Sequence, residues 1–579
     1  MTGPNDGTQG ALPAGDELRR NLEQLKDDLQ KQQDYDNERE ELLQEQTDSW
    51  DSRAKRSASD DEKKAAEIVR RIREHERDNL FGNKASELIP GPKTRDMGGQ
   101  FLTNMDRIHE SHLFKITARM PKGAHLHQHF NSELPVTLLL ERARNMEDNM
   151  YIRSTQPLLQ EEDYYKAEIV FNVLPADTPE ADPFASSYNP EWKSGQNNPW
   201  MKWKTFRNEF AQRRNGGDAE PWVKGKMILG EDEVYGKEQT VNGIWARFNQ
   251  ATRCFKGLLN YKSVYQWYIK AAIEAMIDDG VMYAELRPML MDKSIPSDDG
   301  KEKIDLSNQM RIITEAVKEK MDELARDGKS HVFPFGIKII YCTPRSIPKA
   351  KMISELEDCI KLKQEFPKLI CGFDLVGAED RPNSIGFYRD ELMAFTKTCE
   401  RLGIEIPFMF HAGETLLDTG GSKDPKKSNL YESVLLKAKR VGHGFALTKH
   451  PRLIKAFKDN NICIELCPVS NELLHLCRNV KEHPFPELLA AGIPCTVNAD
   501  NITLFGARMS HEFYQVMVGT PTMSLHGWRQ LAEWSLEYSC LNDADQEKGL
   551  EYFHEAWENF CRWVVEEYSE YAAGLDINE

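Results

Sequence analysis

The first 253 residues contain no cysteine, and no Cys-x-x-Cys pair occurs among the 11 cysteines that follow. Their number is odd, so they read as reduced thiols rather than a disulfide frame. Cys463, Cys467 and Cys477 lie inside apolar runs, which suits small buried residues better than metal ligands. No run of about 18 apolar residues exists, so no helix is expected to cross a membrane. Met1 to Gly15 holds Gly, Pro and Asp without an apolar stretch, so no secretory signal is visible and a cytoplasmic protein is expected. A basic excess is also missing. The net charge is −18, which argues against binding a nucleic acid polymer, because phosphate backbones need a basic surface. A pocket for a single nucleoside or nucleotide remains open.

What is present is a long chain of 579 residues with 40% hydrophobic and 29% charged content. That supports a large core divided into roughly two to four units. Residues 17 to about 80 are charged and helix-friendly. Leu18, Leu22, Leu25 and Leu29 form a short heptad seam, and a second helical stretch carries Ile68, Val69 and Ile72. Ser57-Ala-Ser-Asp60 between them reads as a break with an N-cap. Residues 1–92 are expected to form a charged helical, partly disordered extension, serving as a homodimerisation arm or as a mobile surface. Pro90-Gly-Pro92 marks its end.

Beyond it, strand-like runs alternate with amphipathic helices. The strand candidates are Ala124–Phe130, Val281–Leu286, Phe335–Tyr341, Leu369–Leu375, Ile406–His411, Val441–Gly444, Ile462–Leu466 and Pro494–Asn498. Eight strands alternating with helices predict an α/β fold, a (β/α)8 TIM barrel over 93–579. The first connection holds an insertion, about 151–237, rich in Asn, Pro, Trp and Gly. Trp192, Trp200, Trp203 and Trp222 either cover a site or form the insertion's own core.

Catalytic residues of such barrels sit at the carboxyl ends of strands. His127 and His129 end the first strand, with side chains on one side of an extended segment. His411-Ala-Gly-Glu414 ends the fifth, Gly442-His443-Gly444 the sixth, and Asn498-Ala-Asp500-Asn501 the eighth. Three imidazoles, His127, His129 and His411, with the Asp500 carboxylate suit zinc, which brings the pKa of a bound water toward neutrality. Glu414 is placed to shuttle protons and His443 to hold the water or steady a developing oxyanion. The glycines around His443 are expected to allow a close approach of ligand to backbone. His125 lies one step deeper and reads as a barrel-interior residue bonded to a neighbouring strand.

These motifs together resemble the adenosine deaminase superfamily, and more closely its adenosine-deaminase-related growth factor branch. The residues that carry the resemblance run from about Phe114 to the C-terminus. They are Met120-Pro-Lys-Gly with His127-x-His129, Tyr283-Ala-Glu-Leu-Arg287, Gly372-Phe-Asp374-Leu-Val-Gly377, His411-Ala-Gly-Glu414, Gly442-His-Gly444, Cys467-Pro-Val-Ser-Asn471 and Asp500-Asn501. The resemblance implies one Zn2+ per chain on His127, His129, His411 and Asp500. It implies that Glu414 protonates purine N1, that His443 and Asp500 assist the nucleophile, and that Gly377 contacts N3. Asp374, Asn131 and Asn501 fall at substrate-contacting positions. The implied substrate is an adenine nucleoside or nucleotide, and the implied products are the 6-oxo purine and ammonia.

The chain departs from that pattern at Phe130 and Asn131, where a carboxylate usually follows the second histidine, and at Asn501, where a second aspartate is usual. Fewer carboxylates favour a phosphorylated substrate; Lys202, Lys204, Arg207, Arg213 and Arg214 of the insertion either supply phosphate contacts or, the favoured reading, form a solvated helix face. The growth-factor branch typically carries disulfides in its insertion, and this insertion has no cysteine. Two other readings remain at this level. One is a binuclear amidohydrolase, with Lys338 as a carboxylated bridging lysine. The other is an inactive barrel that binds nucleosides or a partner.

Overall fold

The computed structural model describes residues 15–26, 29–47, 49–193, 195–381, 383–417 and 428–577. The chain divides into two compact units, Met1–Arg53 and Ala54–Glu579. In the first, helices Gly15–Leu25 and Leu29–Thr47 form over the charged stretch. Leu18 and Leu22 of the expected heptad are exposed, and the side chains of Leu25 and Leu29 lie outside the described residues.

The second unit starts well before residue 93, where the barrel was expected to begin. Helix Asp60–Asn79 is capped by Ser59, whose hydroxyl accepts from the Glu62 N–H, as the Ser-Ala-Ser-Asp pattern predicts. It buries Ala65, Ile68, Val69 and Ile72 and packs on the C-terminal helix Asp543–Ala573. Its Glu62 is buried and accepts 2.8 Å bonds from His526 and Arg529. Apolar burial and a buried ion pair therefore tie residues 54–79 into the barrel unit.

All eight expected strands are present. They are β1 (Gly123–His129), β5 (Val281–Arg287), β8 (Ile337–Pro344), β9 (Ile370–Val376), β10 (Met409–Ala412), β11 (Arg440–His443), β12 (Cys463–Leu466) and β13 (Cys495–Val497). They pair in parallel as two arcs, β1-β5-β8-β9 and β10-β11-β12-β13. Parallel bridges Phe373–Phe408 and Gln128–Asp500 join the arcs at both seams, which closes the (β/α)8 barrel. Residue 130 falls outside β1, in a short 3-10 turn Phe130–Ser132. A small hairpin, β6 (Ser294–Pro296) with β7 (Lys303–Asp305), follows β5.

The insertion folds around its own antiparallel sheet, β3 (Ile169–Val173), β2 (Met150–Ser154) and β4 (Met201–Lys202), in that order. Its aromatic residues form a local core. Trp203 meets Phe171 edge-on at 5.2 Å, and Trp222 stacks on Phe206 and Phe210. Trp192 is exposed. The next helix, Val241–Leu259, lies across β3. A Cβ on Gly257 would fall 1.8 Å from the Phe171 carbonyl oxygen, so only glycine permits this contact. The insertion is thus a platform that holds this helix, whose other face borders the barrel's open end.

Candidate active site

The cavity at the carboxyl ends of the strands has a volume of about 470 Å³. His129, His411, Glu414, His443 and Asp500 line its floor, and Asn131, Asn501 and Gly377 its wall. His127 lies just beneath, fully buried, with its ring centroid 4.5 Å from that of His411 and 4.9 Å from that of His443. Every strand-end residue expected to meet here does so, and Asn131, Asn501 and Gly377 border the same space.

The hydrogen-bond network fixes the ring nitrogens. His127 Nδ1 lies 2.7 Å from the Glu465 carboxylate, and His411 Nδ1 lies 2.7 Å from Asp374. Each carboxylate accepts a proton from Nδ1, which leaves Nε2 with a lone pair. His443 is the reverse case. The Phe485 N–H donates to His483 Nδ1, so His483 Nε2–H donates to the Asn471 carbonyl at 2.9 Å. That orients the Asn471 amide to donate to His443 Nδ1 at 3.0 Å, so His443 carries its proton on Nε2. The buried Nε2 atoms of His127 and His443 make no well-formed hydrogen bond within the protein, with the Asp500 and Glu414 carboxylates 3.5 Å away. His127 Nε2 offers a lone pair and His443 Nε2 offers a proton.

His127, His411, His443 and Asp500 present ligand atoms within 4.8 Å of one another, a grouping able to hold a metal ion. His129 Nε2 lies 3.2 Å from Asp500 Oδ1. Proximity alone favours His443 over His129, but the proton on His443 Nε2 removes it from the donor set. His127, His129, His411 and Asp500 then form a nitrogen-and-oxygen set that fits zinc.

Asp374 does not contact the cavity, contrary to its expected substrate role. It is fully buried in β9, where its carboxylate accepts from His411 Nδ1, the His411 N–H and Arg287 Nε. It positions His411 instead. Beneath it lies a charge lattice that strand-end motifs did not reveal. Arg287 donates to Asp374 at 3.0 Å and Glu465 at 2.6 Å, and Arg440 donates to Glu465 and Glu285 at 2.6 Å each. Burial opposes the charge on Glu465, but Arg287 and Arg440 outweigh it and hold its carboxyl well below the usual range. The available signal was charged residues at Glu285, Arg287, Arg440 and Glu465 within strands buried throughout.

The glycines around His443 serve packing rather than ligand approach. A Cβ on Gly442 would lie 2.6 Å from His127 Cε1, and one on Gly444 would lie 2.6 Å from Ile464 Cδ1. His443 and Asp500 themselves hold φ of 65° and 56°, a region costly for non-glycine residues and found at functional sites. His125 accepts a 3.0 Å bond from the Ala499 N–H, the interior role expected of it. Lys338 donates to the Cys540 carbonyl and does not border the cavity, so it offers no bridging ligand there.

Glu414 is buried, and its carboxylate lies 3.5 Å from His443 Nε2. Burial first, and then the carboxylates of Asp500 and Glu379, push its carboxyl well above the usual range. Both influences favour the protonated form of this carboxyl, which faces the pocket. Glu379 places it by accepting from the Gly413 and Glu414 N–H groups at 3.0 and 2.7 Å. Burial lowers His411 to about 4, although Asp374 opposes the shift, and burial lowers His443 well below its ordinary value. Both stay neutral near pH 7.

The five basic residues read either as phosphate contacts or as a solvated face do not border the cavity. They pair with nearby acids: Lys202 with Asp148, Lys204 with Glu147, Arg207 with Glu220, Arg213 with Asp182 and Arg214 with Glu161. The wall comes instead from helix Val241–Leu259. Trp245, Phe248, Asn249, Thr252, Arg253 and Lys256 lie on one face of it and line the mouth.

The Adenosine deaminase family profile matches residues 235–554. An adenosine deaminase of Phlebotomus duboscqi is 30% identical over 497 residues, covering 83% of this chain and 85% of the relative. Adenosine deaminase 2-A of Danio rerio is 28% identical over 499 residues, covering 84% and 89%. A solved amidohydrolase from Burkhoderia ambifaria, with bound Zn, aligns over 79% of this chain and 95% of its own at 12% identity and a TM-score of 0.49. With the profile spanning more than half of the chain, and a relative at 30% identity across most of both sequences, the protein belongs to the adenosine deaminase family.

Proposed function

We propose that this enzyme hydrolytically removes the 6-amino group of an adenine nucleoside or nucleotide, giving the 6-oxo purine and ammonia. One zinc per chain would be held by His127, His129, His411 and Asp500. The observation that carries the reading is the opposed protonation of the rings. Two carboxylate-bonded histidines turn Nε2 lone pairs toward Asp500, while His443 turns a proton toward Glu414.

When bound, zinc supplies the Lewis acidity that makes water a nucleophile near neutral pH. Neutral Glu414 gives its proton to purine N1 as the amino-bearing carbon is attacked. His443 Nε2–H donates to the oxygen that adds at that carbon. Gly377, at φ 103°, lines the wall where its N–H faces N3. The Asn501 amide donates to Asp500 Oδ1 at 2.9 Å, so contact with the basic N7 needs its second amide hydrogen. The eleven free thiols suit a reducing compartment, and we read the enzyme as cytoplasmic.

The test is ammonia release together with the absorbance change of the purine, on adenosine and adenine nucleotides, with metal content measured in the same preparation. Turnover with about one zinc per chain supports the reading. A folded, zinc-loaded protein that releases no ammonia from any adenine compound overturns it in favour of an inactive binding barrel.

A further inference from the structure

Within a chain of net charge −18, the cavity lining is basic. It contains Arg253, Lys256, Arg345 and Arg381 against two carboxylates, Glu414 and Asp500, both at the floor. The floor acids have chemical work there. Above them the polar side chains are cationic or neutral.

The cations are arranged by depth. Arg345 is buried, and its Nη2 donates to the Leu375 and His411 carbonyls at 3.0 and 2.9 Å. Its Nε and Nη1 have no hydrogen-bond partner, and its charge lies beside the pocket within reach of the Glu379 and Glu414 carboxyls. Arg253 and Lys256 stand at the rim, three residues apart on helix Val241–Leu259, with Thr252 and Asn249 beside them. Their anchoring acids lie outside the lining. Glu168 engages Nε and Nη2 of Arg253, and Asp292 engages Lys256. Arg253 Nη1 and the remaining hydrogens of the Lys256 ammonium are left for a ligand. Arg381 is exposed and lines the same cavity from a different element, the loop after β9.

Resting on the deaminase reading, we propose that this rim is a phosphate site and that the preferred substrate is a 5′-phosphorylated adenine nucleoside. The base enters toward Glu414 and His443, and the phosphate stays at the mouth between Arg253, Lys256 and Arg381. Guanidinium and ammonium donors to phosphate oxygens are the strong, charge-assisted kind. A bounded cavity in an acidic protein admits one nucleotide and disfavours a polymer.

The experiment compares kcat/KM for adenosine and AMP at low and high ionic strength, in the wild type and in the Arg253→Gln/Lys256→Gln double variant. AMP should exceed adenosine by about tenfold or more, the worth of one charge-assisted hydrogen bond. Salt should lower the AMP value and spare adenosine. In the double variant the AMP-to-adenosine ratio should fall by about tenfold or more. Arg381→Gln, in the loop after β9, should lower the same ratio and serves as a second reading if the double variant is unstable. Adenosine preferred over AMP in the wild type, or a ratio unmoved by these variants, overturns the phosphate site and leaves the deaminase reading intact. Turnover of neither compound sinks the deaminase reading itself.

Discussion

The floor and the mouth of one pocket are built by different means. The floor belongs to the barrel strands. Its histidines are oriented by carboxylates, and those carboxylates are held charged by Arg287 and Arg440 in a dry lattice. The mouth is built mainly by one helix, Val241–Leu259, pressed into place by the insertion sheet through Gly257 and Phe171, with Arg381 and Leu474 from other elements. Its cations are partly exposed and anchored by acids on the solvent side. A lattice of fully buried charges permits little adjustment, because losing one partner strands the others. A helix face can be rewritten residue by residue. On the proposed reading, chemistry resides in the floor and substrate choice in the mouth.

The largest expected effect tests the floor at its one titrating acid. Glu414→Gln keeps shape but removes the proton destined for the purine ring. Deamination should fall by roughly 10²–10⁴-fold, with zinc content and thermal unfolding close to wild type. A variant that retains most of its rate would assign the proton transfer to another group. Next in size is Glu465→Gln. It leaves Arg287 and Arg440 short of a charge and removes one of the two acceptor oxygens that they share with His127 Nδ1. Metal affinity, measured by competition with a chelator, should drop about 10–100-fold. Stability should fall by several kcal/mol, on the order of 3–5 for a broken buried pair. Unchanged affinity and unfolding together would show that the lattice is not what orients the ligand.

The same division explains what the sequence disclosed. His127, His129, His411, Glu414, His443 and Asp500 were legible because a barrel exposes strand ends on one rim, so eight apolar runs with polar termini already imply a common site. Asp374 was misread because its motif places it near that rim. Its side chain enters the interior, where Arg287 and the His411 N–H meet it, and which way a residue points depends on register with β8 and β10. The insertion's Lys and Arg residues left two readings open in the sequence for a related reason. Whether a cation is free depends on which acids fold beside it, and Glu147, Glu161 and Asp182 are distant from their partners in sequence. Arg253 and Lys256 gave no local signal, because their place at the mouth follows from how the helix's opposite face packs on β3.

That packing gives the third prediction. Gly257→Ala drives a methyl group into the Phe171 carbonyl and must shift the helix or the sheet. A loss of about 1–3 kcal/mol is expected from overpacking, read by denaturant unfolding. The loss in turnover should appear mainly in KM, since Glu414 and the histidines stand on other elements. A kcat defect with KM unchanged would mean that the mouth is coupled to the chemistry and would blur the division.

The smallest effect concerns a buried acid managed in the opposite way to Glu465 beneath the floor. Glu472 lies beside the mouth residue Leu474, where its Oε1 accepts from Tyr235 Oη at 2.6 Å and the Phe101 N–H at 2.7 Å. No cation pairs with it among the described residues, and Oε2 has no protein partner. Burial pushes its carboxyl up to about 8, whereas Glu465, equally buried but flanked by two arginines, is pushed down. In the unfolded chain Glu472 ionises near its ordinary value of about 4.3. Between those two values the folded state keeps a proton that the unfolded state has released, so stability is full below the lower value and declines as pH rises toward the upper one. The slope contributed is at most about 1.4 kcal/mol per pH unit. Glu472→Gln stays neutral in both states and should flatten that slope, gaining on the wild type at pH 8 relative to pH 5 in denaturant unfolding. Parallel pH profiles for the two proteins would mean that Glu472 is charged in the fold and that some group near Tyr235 and Phe101 compensates it, so that mouth and floor would follow the same rule after all.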